Sequence, residues 1–518
     1  MAARRAQSMA QMPPAVVAAV DCGTSAVRAY IAEVDRSGWH VLDDIEHPVD
    51  LVDAVVSGRM DRQAMDSVVD GIAGIMQLAQ GYGVTRVRIV GTSAMREATN
   101  RDVLQERVCE RFGVELEAID AAEEARLYYL ALRALLQQEG LHLRGKTLLV
   151  DVGSSSSIMS VISGEKLIHS VDEHFGTVRT SETFRHLVDS VHYAPTVDRS
   201  AAGAVRMTLR RLPLGRCQRL LITGTELRAF AEALAPAAEG PMIPLQADTL
   251  ESWCRDHASI TRFSPQASAF SGLVDPMRLV PAVMMTRHLC RELGVEQLWI
   301  PQLNLRDGVV ADLMPGALGP HHLNRTNLLA EARALCDRFR MDRTYAMNTA
   351  SLATQIFDQT RHLHHYGARE RLLLEFAAWV HDIGSFLNVR NRHKHTMYLI
   401  QGSDLSGLSS QEKAITANVA RYHRRSPPHP RHTEFMALPR SQRVVVSHLA
   451  AILRLAYGLD VDREQRIKRL RCQEHEGRLL LHVDRRQIEL ERWSIRDKSD
   501  MFREVFGMNV DVVPRKDD

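Results

Sequence analysis

Apolar positions in the first half of the chain fall into short β-branched runs that alternate with segments of helical spacing. Ala15–Val20 is apolar throughout, too short for a helix and rich in valine, and it reads as a buried strand; Lys146–Val150 reads the same way. Between them, Met65–Tyr82, Asp102–Phe112 and Ala122–Leu136 carry apolar residues three and four apart and predict helices, while Val87–Val90 predicts a strand. A second α/β stretch opens at Thr147–Asp151, continues through Lys166–Ser170, Leu220–Ile222 and Gln297–Ile300, and closes near Leu305–Val310. Pro315–Pro320, with two Gly and two Pro, reads as a linker. Beyond it the spacing predicts helices over Leu328–Phe339, Thr344–Thr360, Arg369–Val380, Ser410–His423 and Ser441–Tyr457. Near the end, Leu479–Val483 and Ile488–Leu490 alternate like strands, and Lys498–Phe506 reads as a helix. The pattern therefore predicts a frayed tail (1–14), two α/β lobes (15–136 and 137–314), a helical domain (321–460) and a small α+β cap (461–518).

The two strand-like runs end alike. The first leads into Asp21-Cys22-Gly23-Thr24-Ser25, the second into Asp151-Val152-Gly153-Ser154-Ser155-Ser156. Asp-x-Gly followed by small hydroxyl residues supplies a carboxylate able to hold Mg²⁺, a turn that lets backbone approach a ligand, and donors for phosphate oxygens. One such turn is usually only a turn. Two, after equivalent strands, predict a duplicated two-lobed architecture whose facing half-sites clamp a phosphate chain.

Bulk properties exclude more than they assign. At 518 residues with 45% apolar and 25% charged content, the chain matches ordinary globular protein of several domains, and a net charge of +2 selects no partner. No apolar run approaches the roughly 20 residues of a membrane span, and Met1–Pro14 has no apolar core of a secretory signal. The seven cysteines form no C-x-x-C, which argues against a zinc ribbon or disulfide framework and predicts a reducing, cytoplasmic setting. Cations concentrate between Arg390 and His432, with Arg392, Lys394, Arg421, Arg424 and Arg425 among them. They lack the interleaved aromatics of a nucleic-acid platform, so a polyanion without bases, such as polyphosphate, fits this path better.

The ordered set Asp21-x-Gly23-Thr24-Ser25-x-Val27-Arg28, Thr92-Ser93-Ala94-Met95-Arg96-Glu97, Glu123-Glu124-Ala125-Arg126-Leu127, Asp151-Val152-Gly153 and Leu305-Arg306-Asp307-Gly308 resembles the exopolyphosphatase / guanosine-pentaphosphate phosphohydrolase (Ppx/GppA) family. Past residue 320, His381-Asp382-Ile383-Gly384, His393-Lys394-His395 and Arg421-Tyr422-His423-Arg424 resemble the HD-type domain of its longer members. The resemblance implies a two-lobed, actin-like (ribonuclease H-like, sugar-kinase) α/β superfold, then an all-α HD-like domain and a small α+β cap. It implies Mg²⁺-dependent release of terminal phosphate from inorganic polyphosphate or guanosine pentaphosphate, and a homodimer. On that reading Asp21 and Asp151 hold Mg²⁺; Gly23, Thr24, Ser25, Arg28, Gly153, Ser154, Ser155, Ser156, Gly224 and Thr225 bind phosphoryl oxygens; and Arg96 neutralises charge developing in transfer. Glu123, with its neighbour Glu124 as second candidate, orients or deprotonates the attacking water. His381, Asp382, His395 and His423, with Asp460 beside them, make a weak HD-like metal site, and Tyr345 stands where a first His ligand is expected.

The chain departs from the family pattern in its second loop. Family members carry Asp-x-Gly-Gly-Gly-Ser-Thr-Glu there; this chain has Ser154 and Ser155 for two glycines and Ile158 for the acid. Were the serines at positive φ, each would cost on the order of 1 kcal/mol. Gly224 stands alone where the family has Gly-Gly-Thr, and Asp275-Pro276-Met277 where it has Arg-Ala-Asp. These changes bring in the alternative of a weakened or inactive member that binds polyphosphate or nucleotide as a regulator. A small-molecule kinase of the same superfold is disfavoured by the Glu123–Arg126 element and the HD-like appendage.

Overall fold

The structure, a computed structural model, describes residues 15–514 apart from 36–37, 165, 235–239, 263, 265–273, 315–319, 404, 406–407, 426 and 485–486. The expected tail at 1–14, and all of the expected linker but Pro320, lie outside the described residues. Two compact units emerge, Met1–Gly319 and Pro320–Asp518.

The first unit holds two sheets. In lobe I, β1 (Ala15–Cys22), β2 (Ala26–Val34), β3 (Trp39–Pro48), β4 (Arg86–Gly91) and β5 (Leu116–Ala118) lie in the order β3-β2-β1-β4-β5. β1, β2 and β3 pair antiparallel, whereas β4 and β5 join parallel after helical crossovers. Lobe II repeats this plan with β6 (Lys146–Val152), β7 (Ser157–Ser163), β8 (Lys166–Glu173), β9 (Arg219–Thr223) and β11 (Gln297–Pro301), and β10 (Met242–Gln246) adds an antiparallel edge beside β11. The duplication expected from the two Asp-x-Gly runs is thus present strand for strand. The inner strands read as continuous apolar runs because helices cover both faces; Val17–Val20 and Leu148–Val150 are all buried.

Helix Leu305–Leu313 closes this unit on lobe I. Asn304 and Asp307 form a capping box at its start. Gly308 lies so close to helix Ala121–Gln138 that an added Cβ would sit 2.1 Å from the Leu127 carbonyl oxygen.

The second unit is mainly helical, built on Pro320–Arg338, Arg343–Gln359, Ala368–Val380, Arg392–Gln401, Ser410–Arg421 and Arg440–Gly458. A three-stranded sheet follows: β12 (Leu470–His475) and β13 (Arg478–Val483) form a hairpin, and β14 (Asn509–Pro514) runs parallel to β13. One hydrophobic cluster runs from Leu328 through these helices to Val512, so the small sheet shares the helical core. The strand expected at Ile488–Leu490 is instead the start of helix Glu489–Lys498. Ile488 and Ile495 are buried seven residues apart, a helical interval, while Leu490 points to solvent. No helix among the described residues is long and apolar enough to cross a membrane.

Candidate functional site

Both Asp-x-Gly turns close on themselves in the same way. The Gly23 amide donates to the Ala26 carbonyl at 3.0 Å, and the Gly153 amide to the Ser156 carbonyl at 3.1 Å. Asp21 and Asp151 occupy the last turns of the pleat in β1 and β6, one residue before each strand ends. Within the first turn Asp21 Oδ1 and Thr24 Oγ1 are enclosed yet have no hydrogen-bond partner. Such orphaned atoms are rare in proteins and ask for a ligand or solvent.

Helix Ala121–Gln138 brings a third carboxylate to these two. Its N-terminus is capped by Asp120, whose side chain accepts from the Glu123 amide at 2.9 Å. Consecutive helix positions point about 100° apart, and the two glutamates part accordingly. Glu123 turns to Arg126 (2.7 Å) and to Arg88 of β4 (2.9 Å), inside an ionic network completed by Glu117 and Asp312. Those guanidinium contacts outweigh burial and hold its carboxyl below the usual range. Glu124 turns to Arg96, whose guanidinium also meets the Ile119 carbonyl and lies 3.4 Å from Ser156 Oγ. Burial raises the Glu124 carboxyl above its ordinary range against the pull of Arg96, with Asp172 and Asp120 adding to the rise. Burial likewise pushes Asp21 up to about 6, opposed by Arg28 and reinforced by Glu124. Asp151 goes well above the carboxylate range through burial and then Glu124, although the Tyr128 hydroxyl bonds it. Glu124 and Asp21 both act on Asp151, and all three carboxylates act on the buried Tyr128 hydroxyl, so they share one buried locality; of the two candidate glutamates it is Glu124 that lies there, while Glu123 turns to Arg88 and Arg126.

The second loop is anchored from both lobes. Ser155 Oγ donates to Glu97 of lobe I at 3.0 Å, Arg179 donates to the Ser155 carbonyl at 2.8 Å, and Arg179 also pairs with Glu97. Amides of Thr177, Val178 and Arg179 donate to the Gly153 and Ser154 carbonyls. Neither Ser154 nor Ser155 has a positive φ, so the expected strain of replacing family glycines is absent. The glycine the loop needs is Gly176, where a Cβ would lie 2.4 Å from the Ser155 backbone. Gly224 is a second: its φ is +141°, and a Cβ would lie 2.6 Å from the Val152 carbonyl oxygen, packing the β9 exit against β6. Thr225 opens helix Thr225–Leu234. Arg28 is committed to Glu46 at 3.0 Å.

Sequence reasoning missed four participants. Glu226 accepts from Thr177 at 3.0 Å and adds to the rise at Asp151. Arg278 reaches Ser25 at 3.5 Å, so a cation stands near the departed Arg-Ala-Asp element after all. Tyr128 and Asp172 complete the set. Of these, Tyr128 alone had a signal, one helical turn beyond Glu124.

In the second unit the HD-like ligands do not converge. Among the described residues no group of three or more His, Cys, Asp or Glu is placed to hold a metal ion. Asp382 is instead paired with Arg392 (2.7 Å) and Arg463 (2.5 Å), and the Arg463 guanidinium lies over the Tyr345 ring. His381 and His423 stack edge to face at 5.0 Å, each turning Nδ1 to a carbonyl of its own helix end. His395 is only half-buried; His393 is the buried imidazole of that helix. Asp460 bonds Asn348 at 2.8 Å. Of the expected polyanion path, Arg421 is buried against Glu434 (3.0 Å) and Arg392 is held by Asp382. Lys394 and Arg425 are exposed, and Arg424 is half-buried.

The Ppx/GppA phosphatase family matches residues 30–317, more than half of the chain, and its domain III matches residues 329–495. The chain therefore belongs to the Ppx/GppA phosphatase family, whose members are phosphoanhydride hydrolases. It is 23% identical over 452 residues to a guanosine-5'-triphosphate,3'-diphosphate pyrophosphatase of Photobacterium profundum, covering 85% of this chain and 84% of that one. A protein of the same name from Vibrio campbellii is 24% identical, covering 79% and 80%. Among solved structures, the Ppx/GppA family member of Aquifex aeolicus is similar at a TM-score of 0.50 and 20% identity, over 57% of this chain and 97% of that one. An exopolyphosphatase from Cytophaga hutchinsonii is similar at 0.51 and 17%, over 57% and 97%. These likenesses give the first unit its actin-like fold.

Proposed function

We propose that the chain is an exopolyphosphatase, releasing terminal orthophosphate from inorganic polyphosphate and, through the same clamp, from guanosine pentaphosphate. One observation carries this reading: two self-closed Asp-x-Gly turns, a buried trio of Asp21, Asp151 and Glu124, and Arg96 share one locality. Glu124 is taken by Arg96, and the three carboxylates are not placed as a common ligand set, so a hard divalent cation would rest on the two aspartates, with the enclosed, unpartnered Asp21 Oδ1 as an oxygen donor, and on the phosphate oxygens of its substrate. Asp21 and Asp151 would hold Mg²⁺, which when bound neutralises phosphate charge. Glu124 takes a proton from the attacking water, and Arg96 holds Glu124 in place while facing charge that builds on the transferred phosphoryl group. Thr24, Ser25 and Ser156 offer hydroxyl donors to phosphoryl oxygens, and Glu123 supports the helix rather than the reaction. In the second unit, Lys394, Arg424 and Arg425 would attract a long polyanion in a salt-dependent way.

Phosphate release from long-chain polyphosphate and from guanosine pentaphosphate, with and without Mg²⁺, tests the reading. Glu124→Gln is expected to lower turnover by about 10²–10⁴ while polyphosphate still binds. Wild-type turnover in that variant sinks the assignment. Ile158 favours a second reading, a regulator that binds without turnover, since it puts an apolar side chain directly beside Asp151; binding of polyphosphate with no release on either substrate would establish it.

A further inference from the structure

Corresponding rungs of the two sheets differ in a way that frees one carboxylate. In lobe I the rung reads Asp21 (β1), Arg28 (β2), Glu46 (β3), and the Arg28 guanidinium takes the Glu46 carboxylate at 3.0 Å. In lobe II it reads Asp151 (β6), Ile158 (β7), Asp172 (β8). Residues directly opposite in antiparallel strands project from the same face, so Asp172 shares a face with Asp151. An isoleucine cannot pair with it. Asp172 Oδ1 is enclosed and without a hydrogen-bond partner, and its charge is felt by both Arg96 and Glu124. The carboxylate that the resemblance implies at position 158 is therefore missing from β7, while one strand further out a carboxylate with an unpartnered oxygen faces the same groups.

We propose that Asp172 is a positioning residue that supplies, from β8, the carboxylate lost at Ile158, by accepting hydrogen bonds from the water shell of the divalent cation held at Asp21 and Asp151. Two strand spacings separate β8 from β6, roughly 10 Å, too far for both aspartates to ligate one ion directly and suitable for contact through its waters. The inference rests on the phosphohydrolase reading above.

Mn²⁺ binding to the full chain, followed by calorimetry, is the test, with phosphate release measured in parallel. Asp172→Asn is expected to weaken Mn²⁺ binding by about 10–100-fold and to lower kcat with little change in KM for polyphosphate. Adding Ile158→Glu to that variant is expected to restore most of the affinity. Asp172→Ser repeats the comparison should the asparagine variant not fold. Unchanged Mn²⁺ affinity in a folded Asp172 variant overturns the inference, and so does a loss that Ile158→Glu fails to restore. In either case a wild type that binds Mn²⁺ and releases phosphate keeps the reading beneath it, whereas a wild type that does neither overturns that reading itself.

Discussion

The second loop shows how single positions exchange roles. Ser154 and Ser155 replace glycines without taking a left-handed conformation, so returning them to glycine relieves nothing. Ser154→Gly and Ser155→Gly are each expected to lower stability by a few tenths to about 1 kcal/mol through added chain freedom. Ser155→Gly also loses the hydrogen bond to Glu97. Gly224 is the opposite case: at φ +141° and against the Val152 carbonyl, Gly224→Ala is expected to cost about 1–3 kcal/mol. Urea unfolding of the three variants ranks them; a Gly224→Ala protein as stable as wild type would show that the β9 exit yields to a methyl group.

Whole elements explain why part of the site was legible in the sequence and part was not. The two Asp-x-Gly turns are local: strand, carboxylate and glycine follow one another in the chain, so both turns could be read directly. Which glutamate joins the two aspartates is not local. Glu123 and Glu124 are chemically alike, and the choice falls to Arg88 on β4 and Arg126 on the same helix, which claim Glu123. Asp172 was invisible because its neighbours across the sheet are set by register, 14 residues of hairpin away from Ile158. The polar edge strand Leu470–His475 escaped for a similar reason, with only Leu470 buried. Leu305-Arg306-Asp307-Gly308 was legible as a motif but not in its role, which is packing: the capping box fixes the helix and Gly308 lets it press on Leu127. Gly308→Ala is thus expected to destabilise lobe I by about 1–3 kcal/mol or more. A drop in the melting temperature with unaltered Mn²⁺ affinity would bear this out; a loss of Mn²⁺ affinity at unchanged stability would assign the motif to ion binding instead.

At the scale of the molecule, two units with separate cores can respond separately to pH. Burial lowers the His381 pKa to about 4 and that of His423 well below the ordinary 6.5, so the folded second unit keeps both imidazoles neutral. The unfolded chain takes up protons first as pH falls, so this contribution is complete above pH 6.5 and is lost between there and about pH 4, at most about 3 kcal/mol for His381. Hydrogen exchange at pH 7.5 and 5 should show the helices around His381 losing protection, and His381→Asn should flatten that dependence; equal protection at both values would refute it. The first unit carries a different coupling. Adjacent residues of lobe I reach into the same loop of lobe II: Arg96 to Ser156, and Glu97 to Ser155 and Arg179. Parting the lobes therefore undoes the arginine's contact and the loop's anchorage in one movement. The surroundings of Arg96 and the anchorage of the second loop are thus tied to one variable, the spacing of the two lobes, and neither can change without the other.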